Sequence, residues 1–194
     1  MAAIPRILAF AGSTRTDSFN KRLIKIAVAG ARGAGAEVTL IDLRDYPLPL
    51  FDGDLETRDG PPPNGRKLKD LFLTHHGLLM SCPEYNSSIT GVWKNTIDWV
   101  SRPVPGEAPL ACFDGKVAAI LSASPGALGG LRGLVHVRAI LGNIKVLVLP
   151  DQVAVSRAGE AFNPDGSLKD PKQHAAVEAL GAKLAQMIPK IHSA

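Results

Sequence analysis

Short apolar segments recur along the chain and alternate with stretches of helical spacing. Five of them are almost continuously apolar, and they cover residues 7–10, 38–41, 77–80, 117–121 and 146–149. Continuous rather than alternating apolar character is typical of strands that helices cover on both faces. The pattern therefore predicts five strands of one parallel sheet.

Between these segments, apolar residues return at intervals of three and four, which is the spacing of a helix with one buried face. Such series run through 23–30, 93–100, 131–141 and 177–188, and a less regular one spans 64–75. The alternation predicts a doubly wound α/β fold with helices on both faces, and five strands favour the order 2-1-3-4-5. We expect surface loops in the Pro-, Gly- and Asp-rich segments 47–64 and 103–115, and an irregular segment over 156–172.

Composition limits the class of protein. A chain of 194 residues with 45% hydrophobic residues is long enough for one well-filled core, and we expect a single domain over 1–194. The 22 basic residues are scattered among 18 acidic ones, which argues against a nucleic-acid partner. We see neither a cleavable leader nor a long apolar run, so we expect an unprocessed protein with no membrane partner.

The two cysteines, Cys82 and Cys112, match neither a disulfide framework nor a metal-ligand spacing. We therefore expect a reducing, cytoplasmic location, and we interpret Cys82 as a small buried apolar group rather than an oxidant sensor. The adjacent His75 and His76 have no further ligand at suitable spacing, so no metal site is predicted.

The first predicted strand leads into a short polar loop over residues 11–20. Ligands of open α/β sheets bind beyond the carboxyl ends of the strands, where the strand order reverses. Gly12 permits a tight turn with positive φ and a close backbone approach to a ligand. The N–H groups of this turn and of the following helix suit a phosphate, together with side-chain donors from Ser13, Ser18 and Asn20 and the guanidinium of Arg15.

This loop is also open to interpretations other than a phosphate site. Thr16, Asp17 or Ser18 can simply cap the helix, which is compatible with ligand binding. The loop has neither the lysine of a G-x-x-x-x-G-K-[ST] phosphate loop nor the three glycines of a G-x-G-x-x-G fingerprint. It also lacks a cysteine, so a thiol-based phosphatase would have no nucleophile.

Residues 81–99, after the third predicted strand, hold both tryptophans and one of the two tyrosines. Aromatic surface beside Asn, Ser and Gly suits a flat heteroaromatic ring whose edge needs hydrogen bonds. We assign ring contacts to 83–86, because Pro83 stops the strand and holds the next residues beside the sheet edge. Tyr85 as a cap on the core edge is the alternative. For Trp93, Trp99 and Asp98 we favour a structural role.

Three motifs in the chain resemble those of a known enzyme family. In chain order they are Gly12-Ser13-x-Arg15-x-x-Ser18-x-Asn20, Pro83-Glu84-Tyr85-Asn86-x-Ser88-x-x-Gly91-x-x-Lys94-Asn95-x-Ile97-Asp98-Trp99 and Ser122-Ala123-Ser124-Pro125-Gly126-Ala127-Leu128-Gly129-Gly130-x-Arg132. Together they resemble the NADPH-dependent FMN reductases, a family that includes related quinone, azo-dye and chromate reductases.

The resemblance implies a flavodoxin-like enzyme that binds FMN, takes hydride from NADPH or NADH and reduces a small acceptor. The flavin would carry the chemistry, so no catalytic side chain and no metal ligand is assigned. It also implies a homodimer or homotetramer with the site near a subunit interface. The cofactor-binding residues implied are Gly12, Ser13, Arg15, Ser18, Phe19, Asn20, Pro83, Glu84, Tyr85, Asn86, Ser124 and Gly126.

The chain also departs from the family pattern. Thr90 stands where proline is frequent, and Trp93 stands where leucine is usual. As the alternative to its structural role, the indole would narrow or reshape the acceptor site. We expect the loop 103–115 to fold over the site or contact a partner. Arg102 and Arg132, like Arg15, are candidates for attracting the phosphates of NADPH, with surface solvation as the alternative.

Two alternatives to the enzyme stay open. A flavodoxin-like electron carrier would bind FMN without oxidising NAD(P)H, although carriers are usually acidic and this chain is basic. A sensor of phosphate ligands would use only the first loop. The acceptor of an enzyme also stays open among free flavin, quinone, azo compound, chromate and oxygen.

Overall fold

A computed structural model describes residues 4–192. Its strands are β1 (Arg6–Ala11), β2 (Glu37–Ile41), β3 (Gly77–Ser81), β4 (Val117–Ala123) and β5 (Leu147–Val155). They pair in parallel in the order β2-β1-β3-β4-β5. The central strands β3 and β4 are buried at every residue, which is why their sequences are continuously apolar. The predicted five-stranded, doubly wound, flavodoxin-like sheet is confirmed.

Helices cover both faces of the sheet. Over residues 4–192 they are α1 (Phe19–Gly33), α2 (Gly53–Asp59), α3 (Pro63–Thr74), α4 (Gly91–Val100), α5 (Leu131–Asn143), α6 (Ala158–Ala161) and α7 (Pro171–His192). The helices α1 and α7 pack on one face, and α3, α4 and α5 pack on the other. The five helices expected from apolar spacing are all present, including the less regular one at 64–75.

The backbones of α1 and α7 lie in direct contact. A Cβ at Gly30 would collide with the backbone of Glu178, and a Cβ at Gly181 would collide with that of Ala27. Glycine at these two positions therefore allows the close approach that fixes the axis of α1 and the direction of its N-terminus.

Two elements differ from the expectations. The segment expected as a loop over 47–64 contains α2, which buries none of its residues and therefore carries no apolar stripe. Strand β5 continues beyond residue 149, because a register shift between Ala118 and Ile120 accommodates Pro150 within the strand. The irregular segment 156–172 contains the four-residue helix α6.

The loop 103–115 packs against α3. Arg66 donates to Glu107 at 2.6 Å, the Cys112 thiol lies 3.6 Å from the Lys69 carbonyl, and the Phe113 ring contacts Phe72. Since α4 returns the chain to the edge where strands begin, this loop enters β4 at the edge opposite the ends of β1 and β3. The expectation that it folds over the site is wrong.

Within residues 4–192, no helix combines the length and the apolar character that crossing a membrane requires.

Candidate functional site

Three loops meet at the carboxyl edge of the sheet: loop 1 (12–18), loop 3 (82–90) and loop 4 (124–130). They enclose a shallow groove of about 70 Å³, so a ligand larger than a phosphate would rest on it rather than sink into it. All the predicted site residues except Gly12, Asn86 and Gly126 line this groove. The lining residues are Ser13, Arg15, Ser18, Phe19, Asn20, Pro83, Glu84, Tyr85, Ala123, Ser124 and Pro125.

Loop 1 keeps hydrogen-bond donors open. Ser18 is the N-cap residue of α1, but its side chain makes no hydrogen bond to the helix, and the first turn holds no acidic residue. Ser13 accepts the backbone N–H of Arg15 at 3.3 Å, which leaves its own hydroxyl hydrogen to donate. These groups surround the N–H groups at the positive end of the α1 dipole. Ser18 does not act as a side-chain cap, and the loop has the donors of an anion site.

The side chain of Asn20 is engaged inside the protein. Its Nδ2 donates to the Ala123 carbonyl at 2.8 Å, and its Oδ1 accepts from the Ser81 hydroxyl at 2.8 Å and from the Ala123 N–H at 3.0 Å. These bonds give Asn20 a positioning role. It links the start of α1 to the ends of β3 and β4.

Gly12 is needed for close packing, not for a left-handed backbone. It is absent from the positive-φ glycines of residues 4–192, so the expected positive φ is wrong. A Cβ here would lie 3.0 Å from the Cβ of Trp93 and 3.4 Å from Pro83. The Thr90 hydroxyl also donates to the Gly12 carbonyl at 2.7 Å. Thr90, where proline is frequent in the family, thus fastens loop 1 to loop 3.

The indole of Trp93 lies beneath loop 1 with 1% of its surface exposed. Its Nε1–H has no hydrogen-bond partner among the described residues. The expectation that this indole narrows the acceptor site is wrong, because the side chain is packed in the core. Trp99 is also buried and donates to the Pro49 carbonyl at 2.8 Å, so the structural role predicted for both tryptophans is confirmed.

The carboxylate of Glu84, a residue that lines the groove, is held against α5. It accepts from Arg132 Nε at 2.9 Å and from the Gly133 N–H at 3.1 Å. Burial opposes ionisation of this group, but these hydrogen bonds and the charge of Arg132 outweigh it and lower the pKa of Glu84. The Glu84 carboxylate is therefore an anion that anchors loop 3 to α5.

A tight turn carries Tyr85 to the surface. Tyr85 and Ser88 exchange two backbone hydrogen bonds of 3.0 Å, and the residues between them, Asn86 and Ser87, have φ of 50° and 65°. Both central residues are left-handed, as in a two-residue hairpin turn. Tyr85 is 53% exposed, so it does not cap the core, and its ring can contact a ligand on the groove.

Loop 4 is shaped by two glycines that the sequence analysis did not single out as site residues. Gly129 and Gly130 have φ of 62° and 92°, and a Cβ on Gly130 would collide with the Ser122 side chain. Before them, Ser124 donates its backbone N–H to Val155 at 3.1 Å and accepts the Gly126 N–H on its hydroxyl at 3.3 Å. Ser124 lines the groove, and the N–H of Gly126 holds its hydroxyl.

Arg44 is a further residue that the sequence analysis missed. Its guanidinium donates to the Thr14 carbonyl and to the Thr16 hydroxyl at 2.8 Å. It thereby fastens loop 1 from the side of β2. Only the fold brings these residues together, since Arg44 lies about 30 positions away in the chain.

Arg102 lies away from the groove. It bonds Glu56 at 2.9 Å and lies over the Phe51 ring at 5.0 Å, so the suggestion that it attracts NADPH is not supported. Cys82 is 3% exposed, and burial raises the pKa of its thiol well above the ordinary value, which agrees with its interpretation as a small apolar group. Within residues 4–192, no three His, Cys, Asp or Glu side chains converge on a metal-sized position.

Comparisons with known proteins agree with this geometry. Residues 5–160 match the family model of the NADPH-dependent FMN reductases. The chain is 36% identical over 168 residues to an NAD(P)H-dependent FMN reductase of Pseudomonas aeruginosa, covering 86% of each chain. It is 34% identical to a probable NADPH:quinone oxidoreductase of Oryza sativa, covering 86% of this chain and 80% of that one.

Solved structures give the same result. FerB of Paracoccus denitrificans, a flavoenzyme NAD(P)H:(acceptor) oxidoreductase, superposes with a TM-score of 0.80 and 28% identity. The match covers 96% of this chain and 98% of FerB. The conserved fold therefore extends beyond the segment that the family model matches.

A flavodoxin-like sheet with open hydrogen-bond donors on its first loop and an exposed aromatic ring on its third loop fits a flavin-dependent oxidoreductase. The hydrogen-bond donors fit FMN. Uncapped N–H and hydroxyl groups on loop 1 suit its phosphate, and the shallow groove between Tyr85 and Ser124 suits its ring. The chain belongs to the NADPH-dependent FMN reductase family. It is an enzyme whose cofactor is FMN and whose co-substrate is a reduced nicotinamide.

Proposed function

We propose that the enzyme transfers two electrons from NADPH, or more slowly from NADH, to a quinone or free flavin through FMN bound on the three loops. The observation that supports this most strongly is loop 1, where the Ser18 hydroxyl and the N–H groups of α1 keep open hydrogen-bonding capacity beside the groove. The quinone reductases and FMN reductases among the relatives support this choice of acceptor.

The residues that would hold FMN divide by their chemistry. Ser13, Ser18 and Arg15 would bind the phosphate, with the backbone of Gly12 held against Trp93 so that loop 1 keeps its shape. The backbone of 83–86, the ring of Tyr85 and the hydroxyl of Ser124 would contact the isoalloxazine. Asn20 would position these groups without touching the phosphate.

Bound FMN would supply the redox chemistry, namely hydride acceptance from a nicotinamide and electron transfer to the acceptor. The chain itself orients both partners. Arg132 holds Glu84 as an anion, so this carboxylate stabilises loop 3 and has no proton to donate to the acceptor. The shallow groove leaves the upper face open to a flat substrate.

A homodimer or homotetramer is part of the proposal. Leu128, Leu131 and Val135 are 50%, 42% and 58% exposed, and the last two lie one helical turn apart at the start of α5. An exposed apolar patch beside a ligand groove is typical of a protein interface. Light scattering of Val135→Glu should then give a smaller mass than wild type, while Leu50→Glu, at a position 80% exposed elsewhere, should not. A monomeric wild type would contradict this part.

The test of the function is spectroscopic. The purified protein, supplied with FMN, should show a bound flavin spectrum that NADPH bleaches without oxygen and that a quinone restores. A protein that takes up no flavin would overturn the proposal. A bound flavin that neither NADPH nor NADH bleaches would instead favour the electron carrier.

A further inference from the structure

A second groove lies directly outside loop 1, between α1 and the edge strand β2. Its volume is about 520 Å³, and Thr16, Lys21, Arg22, Lys25 and Leu40 are among its lining residues. Ser18 lines both this groove and the groove between the three loops. The two grooves therefore adjoin at Ser18, and one extended ligand can occupy both.

The second groove presents two cations on one face of α1. Arg22 and Lys25 are three residues apart, so their side chains are neighbours on the helix surface. Both are exposed, and neither forms an ion pair within residues 4–192. Two neighbouring cations with open donors suit a phosphate dianion.

The carboxylate of Asp42, just after β2, already has hydrogen-bond partners within the protein. Asp42 accepts from Lys21 Nζ at 2.5 Å and from the Arg44 N–H at 3.0 Å. In dinucleotide-binding folds, an open carboxylate near this place accepts the ribose 2′-hydroxyl of NAD, whereas a nearby Arg accommodates the 2′-phosphate of NADP. Here the open groups are Arg22 and Lys25, although the carboxylates of Asp17 and Asp45 also line the groove.

Two other basic side chains near the site are held by partners. Arg132 bonds Glu84 and Arg44 bonds Thr14. Arg15 belongs to the FMN phosphate site, and Arg157 lies at loop 4, where its N–H bonds the Gly126 carbonyl. Arg22 and Lys25 are the pair that lines the second groove.

We propose that this second groove binds the adenosine 2′-phosphate end of NADPH, with Arg22 and Lys25 as its phosphate ligands, and that it sets the preference for NADPH over NADH. The proposal rests on the proposed function for the hydride donor. Leu40, 37% exposed in the groove wall, offers apolar surface for the adenine. The nicotinamide end would lie over the three loops.

Direct binding tests the site without turnover. Calorimetry with 2′,5′-ADP should show binding to the purified protein, and 5′-ADP should bind at least about tenfold more weakly because it lacks the 2′-phosphate. The variant R22Q/K25Q should lose at least about tenfold in affinity for 2′,5′-ADP. The control K67Q/K190Q removes the same charge from exposed positions elsewhere and should bind as wild type does. Equal binding of both nucleotides, or equal loss in the control, would overturn the proposal.

Kinetics separates this proposal from the proposed function. R22Q/K25Q should raise KM for NADPH while KM for NADH changes little. An N-alkyl dihydronicotinamide, which has no adenosine, should reduce the variant's flavin as fast as the wild type's. A wild type that no nicotinamide reduces would refute the proposed function, whereas a variant with unchanged KM for NADPH would refute only the groove.

Asp45 supplies a test of opposite sign. Since its carboxylate opposes a phosphate in the groove, Asp45→Asn should strengthen 2′,5′-ADP binding and leave 5′-ADP less affected. Weaker binding of 2′,5′-ADP to this variant would show that the nucleotide lies in another orientation and would contradict the assignment.

Discussion

The two edges of the sheet use their buried polar groups in opposite ways. At the amino edge, His75 bonds the Leu71 carbonyl at 2.6 Å and the Thr39 hydroxyl at 2.8 Å, and Lys116 donates to the His75 carbonyl. These groups have their partners inside the protein. At the carboxyl edge, the Ser18 hydroxyl and the N–H groups of the first turn of α1 remain free to bind a ligand by hydrogen bonds. Unfilled hydrogen-bonding capacity, rather than the presence of buried polar residues, therefore marks the site.

Substitution of Asn20 should have the largest effect. It tests this distinction because Asn20 lies at the carboxyl edge but has its partners inside the protein. Asn20→Ala would leave the Ser81 hydroxyl and both backbone groups of Ala123 unpaired in a buried place. We expect the free energy of unfolding of the FMN-free protein to fall by about 3 kcal/mol or more, measured by urea denaturation.

Ser13→Ala is the matched comparison for Asn20. It should weaken FMN binding and lower the free energy of unfolding by only about 1 kcal/mol, because the Arg15 N–H alone loses a partner. If Asn20→Ala weakens FMN binding but leaves the FMN-free protein as stable as wild type, Asn20 is a ligand contact and the distinction fails.

Gly12→Ala should have the next largest effect. The new Cβ would press on Trp93 and Pro83, and overpacking of this kind costs about 1–3 kcal/mol. We expect a lower melting temperature and weaker FMN binding, measured by thermal unfolding and flavin titration. Gly91→Ala makes the same chemical change where no atom lies within 4 Å, so it should be close to neutral. Equal effects of the two variants would contradict the close packing of loop 1.

The amino edge should respond to pH in stability but not in FMN affinity. Burial lowers the pKa of His75, and the charges of Arg6 and Lys116 lower it further, against the hydrogen bond to Leu71. The unfolded chain binds the His75 proton more readily than the folded protein does. The stability that neutral His75 contributes is therefore complete above the ordinary histidine pKa of about 6.5 and is lost as pH falls below it.

Urea denaturation at pH 7.5 and at pH 5.5 checks this sign. Wild type should be less stable at pH 5.5, and His75→Gln should show a smaller decrease between the two conditions. His76 faces the same cations and also has a lowered pKa, so some decrease should remain in the variant. A wild-type stability that rises on acidification would contradict the assignment.

The sequence predicted most of the fold and the location of the site. Continuous apolar runs identified the strands, and the carboxyl-edge rule placed loops 1, 3 and 4 together. The roles of Asn20 and Arg44 were missed because each depends on a contact with a distant segment. Asn20, for example, meets Ala123 at a separation of 103 residues, and no local pattern signals such a partner.

The most direct test of the account compares FMN with riboflavin, which carries the same ring without the phosphate. Wild type should bind FMN at least about tenfold more tightly than riboflavin. Arg15→Ala should lose about tenfold in affinity for FMN and little for riboflavin, with unfolding unchanged. Equal binding of FMN and riboflavin by wild type would contradict the claim that loop 1 holds the phosphate.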